Sequence, residues 1–306
     1  MQLVFLGTGS GAPTLLRNVS GLVLDMSNEI GELWLFDCGE ATQHQMMNSY
    51  ISPARISNVF ITHMHGDHVF GLPGFLGSRS LHGVANPLTV YGPPGIKKFI
   101  TTTIECSSSY LTYPLEIIEL DTAGDALTTD HINVRYTTLE HGVQSYAYRI
   151  TEADRPGELL VDQLKIHGIT PGPIYGQLKN GGQVTLEDGT ILNGVDFVGP
   201  PKPGHDIVIF GDTRFVPAHA NFAAGAQVMV HEATYGPENA DKAHEHFHST
   251  SVQTAELARR AGVSQLILTH FSARYTSDEQ LDELLDAAQE IFPNTMTTYD
   301  GKRVSL

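Results

Sequence analysis

Apolar and polar positions along the chain fall into two rhythms. Short β-branched runs at 3–6, 21–26, 33–36, 58–62, 88–91 and 132–139 read as strands. Residues 145–150 alternate, with Tyr146, Tyr148 and Ile150 on one face. Helical spacing appears at 41–48, near 69–81, at 251–261 and at 278–291. After residue 200 the order is again strand, helix, strand, with strands at 206–210, 227–230 and 265–269. That sequence of elements predicts an α/β fold with mixed sheets. No internal repeat or low-complexity tract interrupts it. One segment does break the rhythm: from 152 to 198 Gly and Pro are dense and apolar runs are sparse. It reads as an ordered excursion from a single domain spanning 1–306 rather than as a core element.

Composition narrows the class. With 306 residues and 41% hydrophobic content the chain can bury a sizeable core. No apolar run reaches 18 residues, so no membrane-spanning helix is expected. The start, Met1 to Gly7, lacks the basic and apolar regions of a signal peptide and reads as a strand. Cys38 and Cys106 make no disulfide framework, and a cytoplasmic location is the expectation. Eighteen basic against 34 acidic residues give a net charge of −16. Nucleic-acid binders are usually basic, but bound cations add positive charge that such a count misses.

The chemistry concentrates at Thr62-His63-Met64-His65-Gly66-Asp67-His68, directly after a predicted strand. Residues two apart on an extended chain face the same side, so His63 and His65 can share one metal. Asp67 and His68 can face a second, with Gly66 letting the backbone bend between the pairs. His141, Asp212 and His270 each follow a predicted strand, at the carboxyl edge where α/β sheets build sites. The expected division is His63, His65 and His141 on one metal, Asp67, His68 and His270 on the other, and Asp212 bridging. Each metal then keeps a place for water, as catalytic centres do. Five histidines and two aspartates without cysteine suit two divalent ions, Zn2+ first, with Mn2+ or Co2+ able to substitute. His44, His82, His131, His167, His205 and His219 stand alone and are expected to be structural or solvent-exposed.

The His-x-His-x-Asp-His pattern with distant His, Asp and His resembles the metallo-β-lactamase superfamily. Other motifs narrow the resemblance to the tRNase Z (ribonuclease Z) family in its short form. They are Phe5-Leu6-Gly7-Thr8-Gly9, Pro13-Thr14-Leu15-Leu16-Arg17-Asn18, Phe36-Asp37-Cys38-Gly39-Glu40-Ala41-Thr42-Gln43, His231-Glu232-Ala233-Thr234, His248-Ser249-Thr250 and Thr269-His270-Phe271-Ser272-Ala273-Arg274-Tyr275. Gly172-Pro173 resembles the tip of that family's flexible tRNA-binding arm, the exosite. Two positions depart from the pattern. Ala41 stands where the family usually has a second glycine, a change expected to tighten a turn. Leu15 stands where some members carry a lysine that bears on precursors already encoding CCA.

The resemblance implies an αββα sandwich with the arm inserted. It implies an endoribonuclease that removes the 3′ trailer of precursor tRNA, leaving a 3′-hydroxyl on the tRNA and a 5′-phosphate on the trailer. It further implies a homodimer in which one subunit's arm holds RNA cut by the other, without any membrane partner. Asp67 is expected to orient the attacking water, and His248, held by Glu232, to protonate the leaving ribose oxygen. Arg274 is a candidate for phosphate contact. Arg17 is either a second such contact or a structural residue. Within the arm, Arg155, Lys165 and Lys179 face seven acidic residues, so RNA would rely on Lys165, Lys179 and backbone N–H groups near the glycines. A glyoxalase II type thioesterase could share the metal set but would lack the His231–Thr234 and His248–Thr250 motifs and the Gly-Pro arm. A secreted lactamase would need a signal peptide and a cysteine ligand. A non-catalytic RNA-binding protein would have little use for an open metal site.

Overall fold

The computed structural model describes residues 1–186 and 188–306. Glu187, counted above among the acidic residues of the arm, lies outside the described residues. The chain divides into two compact units, Met1–Ile150 with Asp206–Leu306, and Thr151–His205.

The first unit holds two seven-stranded sheets. One runs in the order Arg303–Ser305, Gln2–Gly7, Gly21–Met26, Glu32–Phe36, Ile56–Phe60, Leu88–Gly92, Leu115–Glu119. Its strands pair antiparallel up to Glu32–Phe36 and parallel beyond it. The other runs Thr295–Thr297, Gln265–Thr269, Val228–Glu232, Asp206–Phe210, Ser145–Glu152, Ile132–Leu139, Ala123–Thr128. Residue parity explains the layering. In the first strand Leu3 and Phe5 join one apolar cluster with Tyr146, Tyr148, Ile207, Val228 and Ile267 of the other sheet. Val4 and Leu6 point the opposite way, into a cluster with Met46, Leu72, Phe75 and Ile96 from helices. On the far side Val208, Met229, Leu266 and Leu268 pack on Ala255, Ala258, Leu281 and Leu284 of helices. Successive strand residues face opposite ways, so three cores in this pattern make four layers, αββα. Strands buried on both faces read as near-continuous apolar runs.

Several boundaries move. The strand expected at 58–62 is Ile56–Phe60, so Thr62 and His63 lie beyond the sheet. The helix expected near 69–81 is two pieces, Gly66–Val69 and Leu72–Leu81, divided where Pro73 removes a donor. The strand expected at 227–230 extends to Glu232. Helix Ile96–Cys106 and strands Leu115–Glu119 and Ala123–Thr128 have no counterpart in the sequence reading. Six of that helix's residues are Thr or Ile, β-branched and poor at signalling helix.

The Thr151–His205 unit has its own small core: Leu164, Ile169, Leu178, Val184, Leu192 and Phe197. It contains helices Val161–Ile166 and Pro173–Lys179 and a hairpin of Gln183–Thr185 with Ile191–Asn193. Its limits lie at 151 and 205, where the sequence reading placed 152 and 198. The buried positions stand several residues apart and show no strand or helix period, which is why the segment read as lacking a core. No helix among the described residues is long and apolar enough to cross a membrane.

Candidate metal centre

The seven predicted metal ligands converge in the first unit. His65 Nδ1 lies 3.1 Å from His63 Nε2 and 3.1 Å from His141 Nε2. Asp67 Oδ2 lies 3.6 Å from His68 Nε2 and 3.4 Å from His270 Nε2, and those two nitrogens are 3.3 Å apart. Asp212 Oδ2 stands between the sets, 3.6 Å from His63 Nε2, 3.5 Å from His68 Nε2 and 3.4 Å from His270 Nε2. Donors bound at 2.0–2.1 Å around a tetrahedral zinc stand about 3.3–3.4 Å from one another. The observed spacings match that edge length, and two triads sharing one carboxylate oxygen fit a pair of divalent ions.

The distal ring nitrogens are held as well. His68 Nδ1 bonds Asp37 Oδ2 at 2.7 Å, and the same carboxylate accepts from Thr62 N at 2.7 Å. His63 Nδ1 meets Thr62 Oγ1 at 3.0 Å, His141 Nδ1 meets the Phe247 carbonyl at 2.9 Å, and His270 Nδ1 meets Thr234 Oγ1 at 2.9 Å. Gly11 N donates to Asp67 Oδ2 at 2.7 Å. Such contacts fix the tautomer and the ring plane of a metal ligand. Asp37, Phe247 and His270 have φ of 56°, 59° and 61°. Non-glycine residues avoid this left-handed region, and it collects at functional sites.

Electrostatics follow burial and charge. Burial pulls the His63 and His65 pKa values down, and neighbouring histidines add to the shift. Both rings therefore favour the neutral form that offers a lone pair. Burial would raise Asp67, but His270 and His68 hold its carboxyl well below the usual range. Asp212 is held low against the same burial penalty by His270, His68 and His63. Two ionised carboxylates with five imidazoles form an N/O donor set suited to Zn2+, Mn2+ or Co2+.

Beside the triads, Glu232 and His248 meet, with Oε1 to Nδ1 at 2.9 Å. Glu232 is almost fully buried and also accepts from Thr213 N at 2.9 Å and Ser249 N at 3.2 Å. Burial lowers the His248 pKa, and Glu232 more than reverses this, lifting it to about 9. His248 Nδ1 is 3.9 Å from Asp212 Oδ2, close enough to count as a fourth group of potential ligands with Asp212 and His270. Its bond to Glu232 also engages Nδ1.

Arg274 is exposed, stacks on Tyr235 with its Cζ 4.8 Å from the ring centroid, and donates to Asn239 Oδ1 at 3.1 Å. Tyr235 in turn lies 6.1 Å from the His248 ring, which puts Arg274 on the His248 side of the centre. Arg17 is committed to the fold: Nη1 donates to Thr8 Oγ1 at 2.6 Å and to the Thr298 carbonyl at 2.7 Å. In the other unit, Gly172 is exposed and extended, Pro173 opens a helix, Lys179 ends it, and Lys165 pairs with Asp162 at 2.9 Å.

Of the isolated histidines, His44, His82, His131 and His167 are exposed and His205 and His219 are half-buried. Burial lowers the His219 pKa to about 4. Gly66 has a role the sequence reading missed. A Cβ there would sit 2.2 Å from Phe70 Cε2, so glycine makes room for the Phe70 ring. Asp37 was visible only as part of a motif and Thr234 likewise. The carbonyl of Phe247 and the amide of Gly11 carry no sequence signal, since every residue but proline has both.

Known proteins give a consistent picture. A family model described as anti-Pycsar protein Apyc1 matches residues 1–103, about a third of the chain. Ribonuclease Z of Bacillus cereus strain G9842 is 51% identical over 302 residues, covering 99% of this chain and 98% of the relative. Ribonuclease Z of Bacillus thuringiensis strain Al Hakam is 50% identical over the same span. Among solved structures, human tRNase Z, short form, aligns with a TM-score of 0.72 at 29% identity, covering 100% of this chain and 99% of that one. YhfI of Bacillus subtilis, a metallo-β-lactamase fold protein, aligns with a TM-score of 0.67 at 18% identity and supports the fold. With half its residues identical to these relatives over nearly the full length of both, this chain belongs to the ribonuclease Z family.

Proposed function

We propose that this protein removes the 3′ trailer from precursor tRNA by phosphodiester hydrolysis, leaving a 3′-hydroxyl on the tRNA and a 5′-phosphate on the trailer. The observation that carries the reading is the pair of donor triads sharing Asp212, set beside a buried Glu232–His248 pair. A thioesterase of the same fold would have use for the triads but none for the pair, and the relatives do not favour it.

His63, His65 and His141 would hold one divalent ion, Asp67, His68 and His270 the other, and Asp212 both, with zinc the first candidate. Two bound ions would acidify water and neutralise charge on the attacking and leaving oxygens. Asp67, kept anionic and fixed by the Gly11 amide, orients the attacking water and takes up its proton. His248 delivers a proton to the leaving ribose 3′ oxygen, and Glu232 holds the ring and balances its charge. Arg274, anchored on Tyr235, contacts a phosphate at the 3′ end. Arg17, tied to Thr8 and Thr298, serves as a strut for the loop it ends.

Thr151–His205 serves as the tRNA-binding arm, with Gly172, Pro173, Lys165 and Lys179 as the contacts, and the active form is a homodimer in which the arm of one subunit holds RNA cut by the other. Support comes from the unit's separate core. A cytoplasmic location, where precursor tRNA is made, goes with this reading.

The test uses a precursor tRNA with a 3′ trailer. Wild-type protein cleaves it, chelation stops cleavage, and added Zn2+ or Mn2+ restores it. His65→Ala loses both cleavage and bound metal. Full-rate cleavage by protein shown to be metal-free would sink the two-metal reading.

A further inference from the structure

A cavity of about 450 Å3 opens beside the metal centre, lined by Gly11, Ala12, Pro13, Val19, Glu40, His65, Gly66, Asp67 and Phe70. Its volume falls in the range of small-molecule sites. Its lining includes His65 and Asp67, two of the seven donors, so whatever fills the cavity lies beside the centre where the phosphate would react. Phe70 is 65% exposed despite its apolar ring. The ring lies over Gly66, where a Cβ would be 2.2 Å from it, so the glycine keeps the ring seated at the cavity wall. Ala12, Pro13 and Val19 complete an apolar surround. Glu40 brings a carboxylate to the rim. Its main chain is fixed, because Asn18 Nδ2 donates to the Glu40 carbonyl at 2.8 Å and the next residue, Ala41, is locked at φ 59°.

The chemistry of this lining decides what fits. The lining contains no Lys or Arg and Glu40 adds a carboxylate, so the cavity is not a second phosphate site. An apolar wall with one exposed aromatic face suits a flat, neutral ring. A carboxylate at the edge accepts hydrogen bonds freely from exocyclic amino groups, whereas uracil's single edge donor, N3–H, lies between two carbonyl oxygens that repel the carboxylate. We infer that the cavity is a nucleobase subsite: Phe70 stacks one unpaired base flanking the scissile phosphate, and Glu40 selects amino-bearing bases over uracil. The inference rests on the reading of the protein as an endoribonuclease and names the residues that set its preference at the cut. A base held this way fixes the rotation of the adjoining phosphate over the two triads. Phe70 and Glu40 are therefore specificity-determining residues, which leave proton transfer to Asp67 and His248.

The test is a double-mutant cycle between protein and substrate. Precursor tRNAs are made abasic at the last retained nucleotide or at the first trailer nucleotide, and single-turnover cleavage is measured with wild type and Phe70→Ala. One of the two abasic substrates should slow wild type by roughly 5–150-fold, the range of one base–aromatic stack. Phe70→Ala should slow the intact substrate by a similar factor and add little on that abasic substrate. Which substrate shows the coupling identifies the nucleotide. Phe70→Leu, which keeps apolar bulk without a π face, should behave as Phe70→Ala, and Phe70→Tyr should restore the rate. Glu40→Gln should erase the preference for amino-bearing bases at the coupled position. Multiplicative effects with both abasic substrates would overturn the stacking assignment, and an unchanged base preference in Glu40→Gln would overturn the acceptor role. If wild type cuts no precursor tRNA under any metal condition, the functional reading itself falls and the subsite with it.

Discussion

The metal-bearing body and the Thr151–His205 unit are built to different standards. In the body, strands are buried on both faces, as Val4, Phe5 and Leu6 at 1% exposure or less illustrate. In the smaller unit the hairpin strands are three residues long and each buries one central side chain, Val184 or Leu192. The body must hold seven donor atoms at spacings of 3.1–3.6 Å, and such precision needs packed cores behind every ligand. The smaller unit holds no such cluster among its described residues, and six apolar side chains suffice to order it. Its sequence is also acidic, with Arg155, Lys165, Lys179 and Lys202 against seven Asp and Glu residues, and Lys165 and Lys202 are each paired with a carboxylate. If the smaller unit is the tRNA-binding arm proposed above, chemistry and substrate capture place different demands on this chain. One requires rigidity around fixed charges, the other only a folded surface.

That division can be broken or sharpened by experiment. His248→Ala should reduce kcat by roughly 10²–10⁴-fold while leaving bound metal intact. Loss of metal in this variant would make His248 a ligand. Glu232→Gln removes the charge that lifts the His248 pKa to about 9, so the alkaline limb of the rate profile should move to lower pH. A limb that stays in place would detach Glu232 from the acid.

Replacing the centre of the 151–205 unit with a short linker should spare folding and both metals. Hydrolysis of bis(p-nitrophenyl) phosphate should survive, because that substrate needs only the metal centre. Precursor kcat/KM should fall on the order of 10²-fold, the low end of what a second tethered contact adds. Unchanged precursor cleavage at moderate salt would refute the arm assignment. Joint loss of both activities and of metal would make the segment part of the body.

Asp37→Asn keeps the shape but removes the carboxylate that His68 Nδ1 and Thr62 N share. Metal affinity should drop roughly 10–100-fold, measured by competition with a chelating dye. A smaller change would mean that Thr62 alone orients the ring. Least in size, Ala41→Gly should stabilise the body, because Ala41 sits at φ 59° where a side chain is strained. The gain expected is roughly 0.5–1 kcal/mol, after the extra chain entropy that glycine brings to the unfolded state. Differential scanning calorimetry reads it, and a lowered midpoint would show that the methyl group packs usefully.

The seven converging donors were legible because most of their information is local or positional. His63, His65, Asp67 and His68 lie within six residues, and His141, Asp212 and His270 each follow a strand. The Glu232–His248 pair was different: nothing in the 16-residue spacing says that they meet, and only motif resemblance suggested it. Strand runs such as 21–26 and 206–210 matched the structure because burial on both faces leaves few polar interruptions. Helix Ile96–Cys106 was missed because its Thr and Ile content hides a helical period.

By itself the sequence determined the fold class, the donor set and the place of the excursion, since each depends on residue type and near-neighbour order. Tertiary structure alone decided the rest. It decided that the Phe247 carbonyl and the Gly11 amide serve as holders, that Arg17 is consumed by Thr8 and Thr298, and that Gly66 seats Phe70. These depend on backbone groups common to every residue but proline, or on contacts between positions as far apart as 17 and 298. Such contacts exist only once the sheets have packed, and no local pattern announces them.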